Sequence, residues 1–156
     1  MLKKFFWNLY DHLGTGIVLN LLFPLPAVVV DFGTATTFDV INAAGQYVGG
    51  AIAPGLEISG QALGRRGAQL REVELALPRS VIGKNTVEAL QSGLVYGMAC
   101  QVDGMVDRIG TELGGDTGDL SVISTGHLAS LVADQCRCFT DHEPWLTLKG
   151  LDLVFE

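Results

Sequence analysis

The residues best suited to handling a phosphate lie in one short segment, Asp31-Phe32-Gly33-Thr34-Ala35-Thr36-Thr37. A carboxylate ends an apolar run and a Gly-Thr turn follows directly. Glycine lets a backbone approach a ligand closely. Successive turn amides form an anion-binding nest, to which Thr34 adds a hydroxyl. Asp31 can hold a cation that offsets phosphate charge. The sequence contains no Gly-x-x-x-x-Gly-Lys-Ser/Thr, so the segment is not a P-loop. The same residues also describe an ordinary β-hairpin with an Asp-initiated turn, and spacing alone leaves both readings open.

Three further groups of residues invite chemistry. Thr125-Gly126 forms a second turn after an apolar run. Thr86, in Gly83-Lys84-Asn85-Thr86, opens a helix, where free amides and a hydroxyl face a polar ligand. Simple capping by Asn85, with Glu88 three residues on, explains the same pattern. Cys136-x-Cys138, with Asp141 and His142 nearby, has metal-binding residue types but no second ligand pair at the usual zinc spacing. Arg65 and Arg66 can meet an anion or lie on a solvated face.

The elements that position these groups can be read from periodicity. Ala27 to Val30 is a short β-branched run after Pro26, which predicts a buried strand. Thr36 to Ile41 and Gln46 to Ile52 predict two more strands, joined by the turn Asn42-Ala43-Ala44-Gly45, giving a meander. Pro54 and Gly55 open a helix expected to reach about Leu70. Glu72 to Leu77 reads as extended, and Pro78 to Gly83 as a loop. From Thr86, the residues Val87, Leu90, Leu94, Met98, Val102, Met105 or Val106, Ile109 and Leu113 keep helical spacing. Gly93, Gly97 and Gly104 interrupt that helix, which suggests either a neighbouring backbone or a plain core helix. Leu120 to Ser124 predicts a fourth strand, with a short helix from about His127. Leu146 to Leu151 alternates weakly. The pattern is an α/β domain with a mixed sheet.

Composition sets the outer limits. The 156 residues are 48% hydrophobic and 17% charged, which excludes a disordered chain. The net charge of −7 and the lack of a basic stripe argue against nucleic acid as a partner. A nucleotide would be repelled by the overall field, so its binding must come from local amides, a hydroxyl and a cation. Three cysteines make no disulfide framework and fit a reducing cytoplasm. Lys3 and Lys4 before Phe5, Phe6 and Trp7 mimic the start of a signal peptide, but Asp11 and His12 break the run. Leu13 to Val30 carries no charge, a length that raises a membrane span. Its glycines and prolines favour an amphipathic helix and a broken connection instead.

The motifs DFGTATTFDVI, GGAIAPGLEIS, GKNTVEALQSGLVYG and DGMVDRI stand in the order seen in type III pantothenate kinases. The resemblance runs from about Ala27 to about Leu153 and divides the chain into an unmatched segment, 1–26, and an actin-like subdomain, 27–156. It implies an actin-like ATPase (ribonuclease H-like) α/β fold with a mixed sheet, in a cytoplasmic homodimer not bound to a membrane. It implies phosphorylation of pantothenate by ATP, the first step of coenzyme A synthesis, with Mg²⁺ and a monovalent cation (K⁺ or NH₄⁺). By position, Asp31 matches the cation ligand, and Thr34 with Gly33 the ATP-binding turn. Thr86 matches a pantothenate-binding threonine, and Thr125-Gly126 the turn near adenosine.

The chain departs from the family in two places. His127 stands where the family usually has a second glycine. The Asp-x-Gly-Asn-Thr phosphate loop and the Gly-x-Asp-Arg segment bearing the general base are both absent from the 156 residues. The catalytic base therefore has no assignment. Two readings follow: a pantothenate kinase, or a half-kinase that keeps the fold and dimer helix as a nucleotide-binding or dimerisation module without turnover.

Overall fold

A computed structural model describes residues 22–66, 73–114 and 119–155. The expected N-terminal helix lies outside these residues, as do 67–72, where the helix after Pro54 was expected to continue. The first strand, β1 (Ala27–Phe32), is apolar on both faces because it is covered on both. One face, Val28, Val30 and Phe32, packs into the larger core; the other, Ala27 and Val29, packs with Ile123 and Leu146. Such two-sided burial accounts for a continuous hydrophobic run where a half-exposed strand would alternate.

A tight turn at Gly33 and Thr34 leads into β2 (Ala35–Ile41), antiparallel to β1 with Phe32 opposite Thr36. The next turn is built by Asn42, whose side-chain oxygen accepts the amides of Ala44 and Gln46 at 3.0 and 2.9 Å. It delivers β3 (Tyr47–Pro54), which pairs with β2 from Ala35↔Pro54 onward. The expected meander is thus present. β3 is the edge strand and alternates; its Ile52 is 76% exposed.

Helix α1 (Leu56–Arg66) follows at once. Helix α2 (Thr86–Glu112) starts where the Asn85 signal places it. Asn85 Oδ1 accepts the Glu88 amide at 2.9 Å. Glu88 returns a carboxylate oxygen to the Lys84 amide at 2.8 Å, one residue before the cap, a shifted form of the capping box. Leu94, Val95, Met98, Ala99, Val102 and Val106 line the face of α2 buried under β1 and β2. Gly93, Gly97 and Gly104 lie off that face, with no atom within 4 Å of a Cβ built on them. No other part of the described chain comes close there.

β4 (Ser121–Thr125) adds to β1 in parallel, with Asp31 opposite Thr125. A short helix, α3 (Ala129–Val132), follows. Then come a two-residue strand, β5 (Asp141–His142), parallel to β4, and helix α4 (Leu146–Phe155). The sheet order is β3-β2-β1-β4-β5. The segment expected to alternate weakly from Leu146 is helical, and Leu146 is its buried anchor.

Asp103 ties α2 to the segment before β5. Its carboxylate accepts the amides of Arg137 at 2.8 Å and Cys138 at 3.2 Å, and the Arg137 Nε at 3.0 Å. Burial raises its pKa, but these donors outweigh burial and hold the carboxyl below its ordinary value.

Candidate functional site

β1 and β4 run parallel, so their carboxyl ends emerge together, the usual place for a ligand in an open α/β sheet. Asp31 and Thr125 sit opposite each other at that edge, and the two loops leaving the strands are the Gly33-Thr34 and Gly126-His127 turns. Asp31 Oδ1 lies between them. A Cβ built on Gly33 would be 3.7 Å from it, and one on Gly126 only 2.3 Å.

Gly126 adopts φ +94°, in the left-handed region. A Cβ there would also come within 2.7 Å of the backbone N and O of Phe32. The turn is fastened by the Leu128 amide donating to the Phe32 carbonyl at 3.2 Å. Glycine at 126 is therefore demanded by the approach of two strands as well as by its dihedral angle.

The opposite wall rests on Gly55. A Cβ there would lie 2.3 Å from the Thr34 carbonyl oxygen and 2.6 Å from that of Gly33. The start of α1 thus leans on the Gly33-Thr34 turn and fixes it from outside. In sequence, Gly55 reads only as a helix opener, and its position after Pro54 carries no sign of this contact. Thr34 itself is exposed at the turn, whereas Thr125 is buried, 5% exposed. Thr125 therefore contributes register and backbone to the cleft.

Glu57, in the first turn of α1, reaches back toward the second wall. Its Oε1 is 3.8 Å from His127 Nε2. Neither Glu57 nor this contact was foreseen from sequence; the two residues are far apart in the chain and fit no motif spacing.

Thr86 belongs to a different element. It is exposed at the first turn of α2, two turns before Leu94, which a Cβ on Gly60 of α1 would touch at 3.5 Å. Gly83 packs tightly over this helix start, its Cβ position 2.4 Å from the Ala89 amide nitrogen. Asp31, Gly33, Thr34, Thr125 and Gly126 thus converge, whereas Thr86 stands on a separate helix that is joined to α1 through packing such as Gly60 against Leu94.

The Cys136-x-Cys138 reading does not find a metal centre. Among the described residues, no group of three or more His, Cys, Asp or Glu side chains is arranged to hold an ion. Burial pushes the Cys136 thiol up to about 12 and raises Cys138 as well, with Asp103 adding to both shifts, so neither is a ready thiolate. The donors at Asp31 are oxygens, which suit a hard cation. Arg65 is exposed on α1.

The sequence profile of the type III pantothenate kinase family matches residues 15–108. The chain belongs to that family. The matched region begins upstream of Ala27, where the motif resemblance was expected to start. A type III pantothenate kinase of Nocardioides sp. (strain ATCC BAA-499 / JS614) is 63% identical over 151 residues, covering 93% of this chain and 59% of the relative. One from Streptomyces coelicolor is 62% identical over 146 residues, covering 94% and 55%. The chain therefore spans under two thirds of these pantothenate kinases. Among solved structures, a Baf family transcriptional activator from Campylobacter jejuni superposes with TM-score 0.62 at 19% identity, covering 88% of this chain and 60% of its own. The activator of 2-hydroxyisocaproyl-CoA dehydratase from Clostridium difficile, with bound ADPNP, gives TM-score 0.51 at 13% identity, covering 90% and 62%. These likenesses agree with the actin-like α/β fold expected of a type III pantothenate kinase. No helix among the described residues is long and apolar enough to cross a membrane.

Proposed function

We propose that this chain forms one wall of an ATP-dependent pantothenate kinase site that produces 4′-phosphopantothenate, in a cytoplasmic homodimer. The observation that carries this reading is the convergence of Asp31, the Gly33-Thr34 turn and the Gly126 turn at one sheet edge, in a chain of this family. Asp31 holds the monovalent cation, K⁺ or NH₄⁺. Thr34, Gly33 and the Thr125-Gly126 turn take the nucleotide, and Thr86 takes pantothenate. Mg²⁺, when bound with ATP, neutralises charge on the phosphates.

The reaction is an in-line displacement. The pantothenate hydroxyl oxygen bonds to the γ-phosphorus, the bond from that phosphorus to the β,γ-bridging oxygen breaks, ADP departs, and the hydroxyl proton passes to a base. The residues of this chain supply positioning and electrostatic stabilisation. Amides and the Thr34 hydroxyl meet the phosphates from a turn already fixed by Gly55, so little reorganisation is needed during reaction.

The absence of Gly-x-Asp-Arg and Asp-x-Gly-Asn-Thr from the sequence favours a second reading for these 156 residues alone: nucleotide binding without turnover. Loss of a general base costs about 10²- to 10⁴-fold. A coupled ADP-release assay with ATP, Mg²⁺, K⁺ and pantothenate is expected to show no turnover, while Mg²⁺–ADP binds and the binding weakens in Thr34→Ala and Asp31→Asn. Robust turnover that disappears in Asp31→Ala and Thr86→Ala would sink the half-site reading. Equal ADP binding by wild type and Thr34→Ala would sink the nucleotide assignment. Dimerisation is assigned to the open glycine face of α2, and sedimentation showing only monomer at high micromolar concentration would remove it.

A further inference from the structure

His127 is held in place by its backbone. Gly126 before it is packed against Asp31 and Phe32, and Leu128 after it donates its amide to Phe32. The Ala129 amide also returns to the Gly126 carbonyl at 3.2 Å. The turn fixes where the His127 side chain leaves the backbone. From there it reaches across the cleft, to Glu57 on the wall that carries Thr34.

The contact itself is loose. At 3.8 Å it exceeds hydrogen-bond distance, and the two side chains are 60% and 52% exposed. Ion pairs of this kind are weak and easily exchanged. Glu57 is also in the first turn of α1, where a helix end favours negative charge. A phosphate entering the cleft competes with the Glu57 carboxylate for the same imidazole nitrogen and the same helix end.

We propose that His127 is a nucleotide-phosphate contact which Glu57 holds across the mouth of the Asp31–Thr34 cleft until a phosphate displaces it. The inference rests on the nucleotide reading of this cleft and adds a specificity-determining residue to it. In a chain of net charge −7, whose cleft also carries the Asp31 carboxylate, an imidazole N–H gives an incoming phosphate a donor beside the turn. Among the described residues, Asp31 lies beside Gly126 and Glu57, at the start of α1, lies beside His127.

The test is calorimetric binding of Mg²⁺–ADP to the whole chain. His127→Ala is expected to weaken binding about tenfold, the scale of one hydrogen bond to a charged group. His127→Gln keeps a donor and should recover part of that loss. Glu57→Gln removes the competitor and should tighten binding. The opposite signs at positions 57 and 127 separate exchange from scaffolding. If His127→Ala binds like wild type, or Glu57→Gln weakens binding as His127→Ala does, the proposal is overturned while the cleft remains a nucleotide site. If the wild type binds no ADP, or Thr34→Ala binds equally well, the nucleotide reading fails and this proposal with it.

Discussion

The glycines of the cleft and those of α2 have the same chemistry but opposite surroundings. At Gly55 and Gly126 a Cβ would fall within 2.3 Å of another atom of the chain; at Gly93, Gly97 and Gly104 it would meet nothing within 4 Å. The first pair is required by how this polypeptide folds on itself. The second set loses helix stability with no compensating contact inside the described chain. A glycine seen in a sequence thus signals close approach without saying whether the approaching body is the same chain or another molecule.

Substitution at the cleft should have the largest effect. Gly126→Ala forces a side chain into the left-handed region and onto Asp31, and should cost about 2–4 kcal/mol by urea denaturation. A cost near zero would mean that the turn relaxes freely and that the contrast with α2 is false.

Asp103 tests whether α2 makes demands of its own away from its glycines. Asp103→Ala leaves the Arg137 and Cys138 amides without their acceptor and should cost about 1–3 kcal/mol. Because its carboxyl titrates lower in the folded chain than in the unfolded one, its stabilisation is present above about pH 4 and lost as pH falls through the folded value. Acid denaturation curves of wild type and Asp103→Ala should therefore converge at low pH.

The smallest effect sharpens the comparison most. Gly97→Ala should stabilise an isolated protomer by about 0.5–1 kcal/mol, because it removes a helix-interior glycine and meets no atom. If copies pair through this face, Gly97→Leu should abolish the dimer in sedimentation while leaving the far-ultraviolet circular dichroism unchanged. A Gly97→Leu protein that remains dimeric would place the interface elsewhere.

Much of this was legible in sequence where local chemistry and tertiary demand agree. β1 reads as a buried strand because both its faces are covered, and α2 begins at Thr86 because Asn85 and Glu88 satisfy its first amides. α4 was not legible: Leu146 and Leu148 mimic alternation, yet Leu146 is buried and Leu148 exposed on a helix. β5 is two exposed residues, too short for any period. In the cleft, Asp31, Gly33, Thr34 and Gly126 carry recognisable turn chemistry. Glu57 does not, because its meeting with His127 depends on how Gly55 seats α1 against the first turn.

Helix α2 also has a mechanical consequence. Its 27 residues make a rod about 40 Å long, clamped along one side from Leu94 to Val106 and touched at its first turns only by the loop around Gly83. Thr86 is sixteen residues from Val102, an arm of about 24 Å. A tilt of only about 2° around Val102 would swing Thr86 by about 0.8 Å, close to the roughly 1 Å misplacement that can cost about 10²-fold where a residue positions a reacting group. Small volume changes at Val102 or Met98, deep beneath the sheet, would therefore be read out at the far end of the lever as a displacement of Thr86.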